Sequence, residues 1–501
     1  MTNLSLPKIA FAKRRRQLRR SSGHPLESQE KILRFLVAKG SQTEFGKKYL
    51  LSSVRSHDDF RRQVPVSRYE DLQPYIERML AGEENVLWPE AIDYFSKSSG
   101  TTGSKSKYIP VSARALSGCH YKAGRSLFAE YFHQNPASNL LLGQNFALGG
   151  SRQDAEIGSG KYIADVSVIL MKNLPWWARL RRSPRFSVAS MSEWESKLEK
   201  IAGIISKQNI VSISGVPSWN LALARKVLEM TGKNNLKEVW PKLELFVHGG
   251  TSMAPYREQF RELIPGKMNY LEVYNASEGF FAFQDDLTKN DLLLFVDGGV
   301  YYEFIPLEEL EKPKPEAIPL AQVEVGKNYA MLISTNAGLW RYFIGDTVKF
   351  TSADPYRLVI TGRTKSFINA CGEELMVENA ESAIKEACNR SGAIMKEYTA
   401  APLFGGTSIA RHQWAMEFER QPEDLQVFKQ YLDEALMNRN SDYEAKRHKD
   451  LNLAPPEIII VRSGIFYDWL KSRNRLGGQA KIPRLANDRY IIEEILALNR
   501  N

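Results

Sequence analysis

Ser98-Ser99-Gly100-Thr101-Thr102-Gly103-Ser104-Lys105-Ser106-Lys107 stands between two runs that read as strands, Ala91–Lys97 and Tyr108–Val111. Small residues let a backbone come close to a ligand, and its amides and hydroxyls can donate hydrogen bonds to phosphate oxygens. The lysines that close the segment can neutralise an anion. The spacing is not that of a Walker A loop, because neither Gly100 nor Gly103 begins a G-x-x-x-x-G-K-[ST] run. Taken alone, the segment reads equally well as a flexible Ser/Gly loop with solvated lysines.

Upstream of this segment, residues 26–90 read as helices separated by breaks. Ser67 with Glu70 has the pattern of a capping box ahead of Leu72, Tyr75 and Leu80. Downstream, strands and helices alternate. Ser192 with Glu195 predicts a capped helix whose buried face is Trp194, Leu198, Ile201 and Ile205. Ile210–Val216 reads as a buried strand, Ser218–Met230 as a helix closed by Gly232, and Leu243–Val247 as the next strand. Met268–Tyr274, Asp291–Ile305, Tyr329–Ser334 and Leu358–Thr361 add further strands. Strands separated by helices predict an α/β architecture of largely parallel sheets covered on both faces. Beyond Gly362 the pattern becomes a compact α+β unit, with helices at Glu378–Arg390 and Asp424–Met437. Its strands fall near Glu397–Pro402, Trp414–Phe418 and Glu457–Val461, and a loop-rich basic tail follows. The domain boundary falls between Gly362 and Cys371.

Two more segments carry chemistry. In Tyr274-Asn275-Ala276-Ser277-Glu278-Gly279 a strand ends in an aromatic ring, a hydroxyl and a carboxylate. The ring can stack on a base, the hydroxyl can bind phosphate, and Glu278 offers hard oxygens to Mg²⁺. Singly, Tyr274 reads as core and Glu278 as a helix-start carboxylate. In Trp340-Arg341-Tyr342-Phe343-Ile344-Gly345-Asp346 an acid follows a turn, where it could accept both hydroxyls of a ribose; singly it is an ordinary turn residue.

Composition bounds the rest. The chain has 501 residues, 43% of them hydrophobic and 25% charged, which excludes low-complexity, collagen-like and wholly disordered classes. No run approaches the roughly 18 apolar residues of a membrane helix. The net charge is +10, but Lys8, Lys13, Arg14, Arg15, Arg16, Arg19 and Arg20 supply +7 before any acid appears, so residues 1–25 form a basic arm on a nearly neutral body. Such an arm can contact nucleic acid, anionic lipid or an acidic partner, or it can be a solvated, partly helical leader. The three cysteines, Cys119, Cys371 and Cys388, are too widely spaced for a disulfide framework or a CxxC metal site, which suits a reducing cytoplasm.

The order Ser/Thr/Gly/Lys loop, Tyr-x-x-Ser-Glu-Gly, Arg-Tyr-x-x-Gly-Asp and Gly-Arg resembles the adenylate-forming superfamily of acyl-CoA synthetases, peptide-synthetase adenylation domains and luciferases. Within it the chain is similar to the auxin-responsive-promoter (Gretchen Hagen) family of acyl-acid amido synthetases. Gly249-Gly250-Thr251-Ser252-Met253-Ala254-Pro255-Tyr256 precedes the Tyr-x-x-Ser-Glu block by the family's short interval. Leu339–Asp346 resembles its Leu-Tyr-Arg-Tyr-Arg-Val-Gly-Asp block. Gly464-Ile465-Phe466 followed by Gly477-Gly478-Gln479-Ala480-Lys481-Ile482-Pro483-Arg484 resembles its closing stretch. The chain departs at Asn275-Ala276, where many members have Gly or Ala then Ser, and at Phe343-Ile344, where they often have Arg-Val.

The resemblance implies an adenylate-forming fold. It has a large domain of α/β sheets plus a small β-barrel-like part over residues 26–361, a hinge at 362–370, and a smaller, mobile α+β domain at 371–501. It implies an ATP-dependent ligase that converts a small carboxylic acid to an acyl-adenylate and passes the acyl group to an amine, an amino acid in the family. Ser98, Ser99, Gly100, Thr101, Thr102, Gly103 and Lys105 would hold phosphates, with Gly250 and Thr251 beside the nucleotide. Tyr274, Asn275, Ala276 and Ser277 would border adenine and phosphate, and Glu278 would hold Mg²⁺. Asp346 would bind the ribose, Arg363 would reach the ribose or phosphate, and Lys481 the α-phosphate. No obligatory nucleic acid is implied, and oligomeric state stays open. The acid pocket would be lined by the segments around 114–180 and the strands near 210–216 and 243–250, with Trp176, Trp177 and Trp219 as candidate aromatics. The nearest rival is the same adenylation followed by thioester formation with coenzyme A. A more distant one is a non-catalytic protein binding nucleotide or nucleic acid through its basic arm.

Overall fold

The computed structural model describes residues 5–98, 107–150, 160–250, 253, 256–310, 312, 315–364, 367–368, 370, 373, 375–405, 408–447, 453–473, 476 and 481–500. They group into two units. The first takes Met1–Gly250, Lys267–Ile344 and Val348–Val359; the second takes Thr251–Gly266, Gly345–Thr347 and Ile360–Asn501. Sequence order places 251–266 and 345–347 within the large domain. They group instead with the C-terminal residues because Gln259 Nε2 donates to Met395 O at 3.0 Å, and the Tyr256 hydroxyl to Glu397 Oε2 at 2.9 Å.

The first unit is built on a twelve-stranded sheet. From one edge its order is Arg182–Ser183, Gln144–Ala147, Ile210–Gly215, Leu245–Gly249, Asn269–Ala276, Gly279–Phe283, Leu292–Leu294, Tyr356–Arg363, Tyr342–Ala353, Asn328–Thr335, Val300–Pro306 and Ile318–Pro319. The first five strands run parallel. Then Ala276 pairs with Gly279 across a two-residue turn, and that pairing and the next two are antiparallel. A sheet expected to be largely parallel is therefore parallel only at one end. A two-residue turn can join only antiparallel neighbours, whereas each parallel step needs a crossover such as Pro217–Thr231. That helix begins with Pro217 in its first turn and ends at Gly232 in the left-handed region (φ 64°), as its sequence predicts. A separate three-stranded sheet has Tyr94–Ser98 at its centre, antiparallel to Lys107–Val111 and parallel to Tyr162–Ala164.

Two helix starts differ from the expected ones. Ser67 forms a β-bridge to Tyr342, donating its N–H to Arg341 O, so the helix Tyr69–Leu80 begins one residue later. Its box is closed by Asp71, which accepts from the Arg68 N–H at 2.7 Å. On Trp194–Ile205 the cap is Glu193, accepting from the Glu195 and Ser196 amides, not Ser192. On that helix Leu198 is only half-buried, whereas Lys197 is buried with Trp194, Ile201 and Ile205.

The basic N-terminal segment is the helix Ser5–Gly23, packed on Tyr121–Gln134. Arg14 is 7% exposed and donates to Ser126 Oγ and both Asp297 oxygens. Arg15 and Arg19 converge on Glu130, and Arg19 also reaches Asp285, which pairs with Arg357. Three of the seven cations of the arm are thus paired with acids of the unit, Arg14 buried and Arg15 and Arg19 partly exposed.

The second unit has the three-stranded sheet Ile394–Gly405, Ser408–Arg420 and Glu457–Ile460, and the helices Val377–Ser391 and Leu425–Arg439. Its core contains Tyr398, Trp414, Met416, Phe428 and Leu432. The tail expected as loop contains two helices, Ile465–Ser472 and Tyr490–Arg500. Each buries a short apolar pair or quartet that charged neighbours dilute in the sequence: Ile465, Phe466, Trp469 and Leu470 in one, Ile492 and Ile495 in the other. Among the described residues, no helix is long and apolar enough to cross a membrane.

Candidate functional site

In α/β sheets ligands bind beyond the carboxyl ends of the parallel strands. In the first unit those ends are Ala147, Gly215, Gly249 and Ala276. Glycine at two of them has a steric cause. A Cβ on Gly249 would meet Val273 O at 2.4 Å, and one on Gly215 would meet Leu148 O at 2.7 Å. Gly250 then turns in the left-handed region (φ 81°). Thr251 lies outside the described residues.

The first motif is a hairpin. Ser98 pairs with Lys107, so the Ser/Thr/Gly/Lys stretch is the loop that joins two antiparallel strands. Of its predicted site residues, Ser99, Gly100, Thr101, Thr102, Gly103 and Lys105 lie outside the described residues, and Ser98 is placed only as the strand end. The second motif is also a hairpin, with Ser277 and Glu278 as its two turn residues. The two are tied together. Ser96 Oγ, fully buried two residues before the loop, donates to Ser277 Oγ at 2.9 Å. Residues 181 positions apart are thereby joined, and the Ser/Gly loop starts beside the Tyr-x-x-Ser-Glu turn. Tyr274 is buried and meets Phe281 edge-on at 5.0 Å, while Asn275, Ala276, Ser277 and Glu278 stay half-buried. The turn therefore offers solvent a hydroxyl, an amide and one carboxylate backed by a fixed ring.

In the second unit Asp346 and Arg363 come together, with Asp346 Oδ1 2.9 Å from Arg363 Nε. Neighbouring strands hold them. The Thr364 amide donates to Gly345 O at 2.8 Å, and the Thr347 and Thr361 hydroxyls meet at 2.9 Å. Gly345 sits at φ 84° and Gly362 at φ 148°, so both of these strand positions favour glycine. Lys481 is exposed, three residues before Arg484, which is buried. Arg484 pairs with Glu397, donates to the Tyr256 hydroxyl at 3.0 Å and lies over the Tyr398 ring. The Ala400 amide donates to Arg484 O and the Thr399 hydroxyl to Pro483 O. The segment bearing Lys481 is thus pinned at its C-terminal side, with the lysine at the pinned segment's exposed end.

Three features escape the sequence reading. Ser96 is one, hidden in a strand. The Arg484–Glu397–Tyr256 anchor is another, because its members are far apart in the chain. The third is Lys197, whose Nζ donates to Gly149 O at 2.9 Å and Gly150 O at 2.6 Å, just beyond the strand Gln144–Ala147. Burial pushes its pKa down to about 8, opposed by Asp165. Asp165 lies against Gly150, where a Cβ would come within 1.5 Å of its Oδ2. A lysine inside an otherwise apolar helix stripe is the signal that could have found it. Of the expected aromatic wall, Trp219 is core, T-shaped on Trp194 at 4.3 Å, and Trp176 is exposed. The Trp177 side chain lies outside the described residues.

The chain matches three family descriptions in order: GH3 family N-terminal domain over residues 14–268, GH3 family central domain over 293–363 and GH3 family C-terminal domain over 378–490. It is 25% identical to the probable indole-3-acetic acid-amido synthetase GH3.1 of Arabidopsis thaliana, over 93% of this chain and 90% of that one. It is 24% identical to the 4-substituted benzoates-glutamate ligase GH3.12 of the same plant, over 94% of each chain. Among solved structures it resembles the GH3.15 acyl acid amido synthetase bound to 2,4-DB, with TM-score 0.80 and 18% identity, over 98% of this chain and 96% of that one. It also resembles a 2-hydroxyisobutyryl-CoA ligase holding its acyl-AMP, with TM-score 0.60 and 14% identity, over 95% and 90% of the two chains. The fold is that of adenylate-forming ligases.

Proposed function

The chain belongs to the GH3 family, and from that premise we propose that it is an ATP-dependent acyl-acid amido synthetase. A carboxylate oxygen of the acid attacks the α-phosphorus of ATP, pyrophosphate leaves, and an acyl-adenylate forms. The nitrogen of a neutral amine, an amino acid by analogy with the glutamate-conjugating relative, then attacks the acyl carbon. AMP leaves, and the nitrogen loses a proton to give the amide. The difficulty of the first half is repulsion between a carboxylate and an anionic phosphate, so positioning and charge neutralisation carry the rate.

One observation carries the reading: the Ser96–Ser277 bond, which joins the loop suited to phosphate to the turn suited to nucleotide. In this scheme Ser98, Ser99, Gly100, Thr101, Thr102, Gly103 and Lys105 cradle the β- and γ-phosphates. Tyr274 borders adenine, Gly250 and Thr251 lie beside it, Asp346 accepts from the ribose hydroxyls with Arg363 next to it, and Lys481 neutralises the α-phosphate. Glu278 fits Mg²⁺, a hard cation commonly held by one or two carboxylates together with substrate phosphates. When bound, Mg²⁺ would neutralise phosphate charge. Residues 362–370 serve as the hinge on which the 371–501 domain turns between half-reactions, closing the adenylate against water. A cytoplasmic setting accords with Cys119 and Cys388 standing as free thiols.

The test is ATP–pyrophosphate exchange against a panel of aromatic, benzoic and fatty acids. Exchange should require an acid and fall about 10²–10³-fold in Lys481→Ala, the loss typical for one donor to developing charge. Acid-independent exchange, or an unimpaired Lys481→Ala, would sink the reading. Mass spectrometry of products formed with amino acids or with coenzyme A separates the amide from the thioester.

A further inference from the structure

Residues 166–192 carry Lys172, Arg179, Arg181, Arg182 and Arg185 and no acid at all. In the first unit this stretch contains the short helix Trp176–Leu180 and the edge strand Arg182–Ser183 of the large sheet. Trp176 is 73% exposed and Leu180 68%. Four residues apart, they share one face of the helix, and that face is turned to solvent. Leu142, 48% exposed, belongs to the loop before the neighbouring strand, whose Asn145 amide donates to Arg181 O at 2.7 Å. Lys172, Arg179, Arg181 and Arg185 on the same stretch are exposed, and among the described residues none of the four forms an ion pair; Lys172 lies over the Tyr162 ring, and Arg179 donates to Leu174 O and Lys172 O. Some exposed cations elsewhere are matched, as Arg78 is by Glu44 and Glu83. Here they are not.

Exposed tryptophan and leucine ringed by unmatched cations form the pattern that seats a protein on an anionic bilayer. The apolar side chains enter the headgroup region while the cations meet lipid charge. An apolar protein partner would leave four cations unanswered, whereas a bilayer surface answers both halves of the patch. We propose that the Trp176–Arg185 edge docks the protein peripherally on a membrane surface rich in anionic phospholipid. The patch uses none of the residues assigned to the nucleotide, nor Lys481.

The test is vesicle flotation of the full chain with phosphatidylcholine alone and with phosphatidylcholine–phosphatidylserine, at low and high salt. Two variants accompany it, Trp176→Ser/Leu180→Ser and Arg181→Gln/Arg185→Gln. All four positions are exposed, so thermal unfolding should be unchanged in both. The wild type should float with the anionic vesicles only and lose binding as salt screens the surface. Each exposed cation should be worth roughly fivefold in binding, so the Arg181/Arg185 pair should cost about 25-fold. Removing Trp176 and Leu180 should weaken binding even at low salt. The proposal is overturned by equal binding to neutral vesicles, by no binding to either, or by binding that neither variant reduces. It is equally overturned if the wild type is a dimer that fails to float and Trp176→Ser/Leu180→Ser makes it monomeric, since the patch is then a contact between two copies.

Discussion

Glu130 is 1% exposed and is met from the N-terminal helix by Arg15 Nε at 3.1 Å and Arg19 Nη2 at 2.8 Å, whose side chains are 31% and 46% exposed. The burial is lopsided, and the cost of breaking the cluster should be lopsided with it. In Arg15→Met/Arg19→Met the hydrocarbon stems still cover the carboxylate, which keeps its charge without a partner. A buried charge stripped of its partner costs about 3–5 kcal/mol, and water entering at the half-exposed arginine positions argues for the lower end, about 3 kcal/mol. In Glu130→Leu the arginines are the ones left unpaired, but they can turn to water, and Arg19 keeps Asp285 at 3.5 Å. That change should cost about 1 kcal/mol, in the range of exposed pairs. The gap of about 2 kcal/mol is roughly a thirtyfold difference in the folding equilibrium, at about 1.4 kcal/mol per tenfold. Urea titration of the full chain, followed by far-ultraviolet circular dichroism, would measure both through the shift of the first transition. If Glu130→Leu were as costly as the arginine pair, the lopsided burial would not set the cost; if the pair cost less than about 1 kcal/mol, the helix would be an appendage and not part of the unit.

Two pH effects follow from buried cationic groups. His120 is 5% exposed, and burial lowers its pKa from 6.5 to about 4. Between those values the unfolded chain binds a proton that the fold refuses, so stability should be lost as pH falls from 6.5 toward 4, by on the order of 3 kcal/mol. His120→Gln should flatten that slope in urea titrations at stepped pH; an unchanged slope would assign it to other groups. Lys197, lowered to about 8 from 10.5, has the same sign at the other end of the scale. The unfolded chain holds the extra proton between those values, so wild-type stability relative to Lys197→Met should rise as pH climbs from 8 to 10.5, by on the order of 3 kcal/mol. A difference that stays flat or falls would mean that the two glycine carbonyls keep the ammonium charged.

Much of the architecture was readable from the chain because its signals are local. The helix Pro217–Thr231 is closed by the expected Gly232, and the alternation of buried strands with helices is visible over short windows. The two capping shifts show where this stops. Ser67 and Ser192 have the right chemistry, but Ser67 is taken by a β-bridge to Tyr342, and Glu193 reaches the amides that Ser192 was expected to hold. Competition from a distant partner does not show in a four-residue pattern.

By itself the sequence determined which chemistry is possible: a Ser/Thr/Gly/Lys loop between strands, a Tyr-x-x-Ser-Glu turn, a Gly-Asp and a Gly-Arg, in that order along the chain. Residue type and spacing suffice there because a turn demands its glycine and a ligand its donor within a few residues. Only the tertiary structure decided how those pieces meet. It brought Ser96 to Ser277 and Asp346 to Arg363, and it locked the segment after Lys481 through Arg484 and Glu397. It also paired Arg14, Arg15 and Arg19 of the basic arm with acids of the body and left Trp176 and Leu180 outside. Burial and ion pairing depend on what the rest of the fold places opposite a side chain. Partners well beyond a few residues away leave no trace in local pattern.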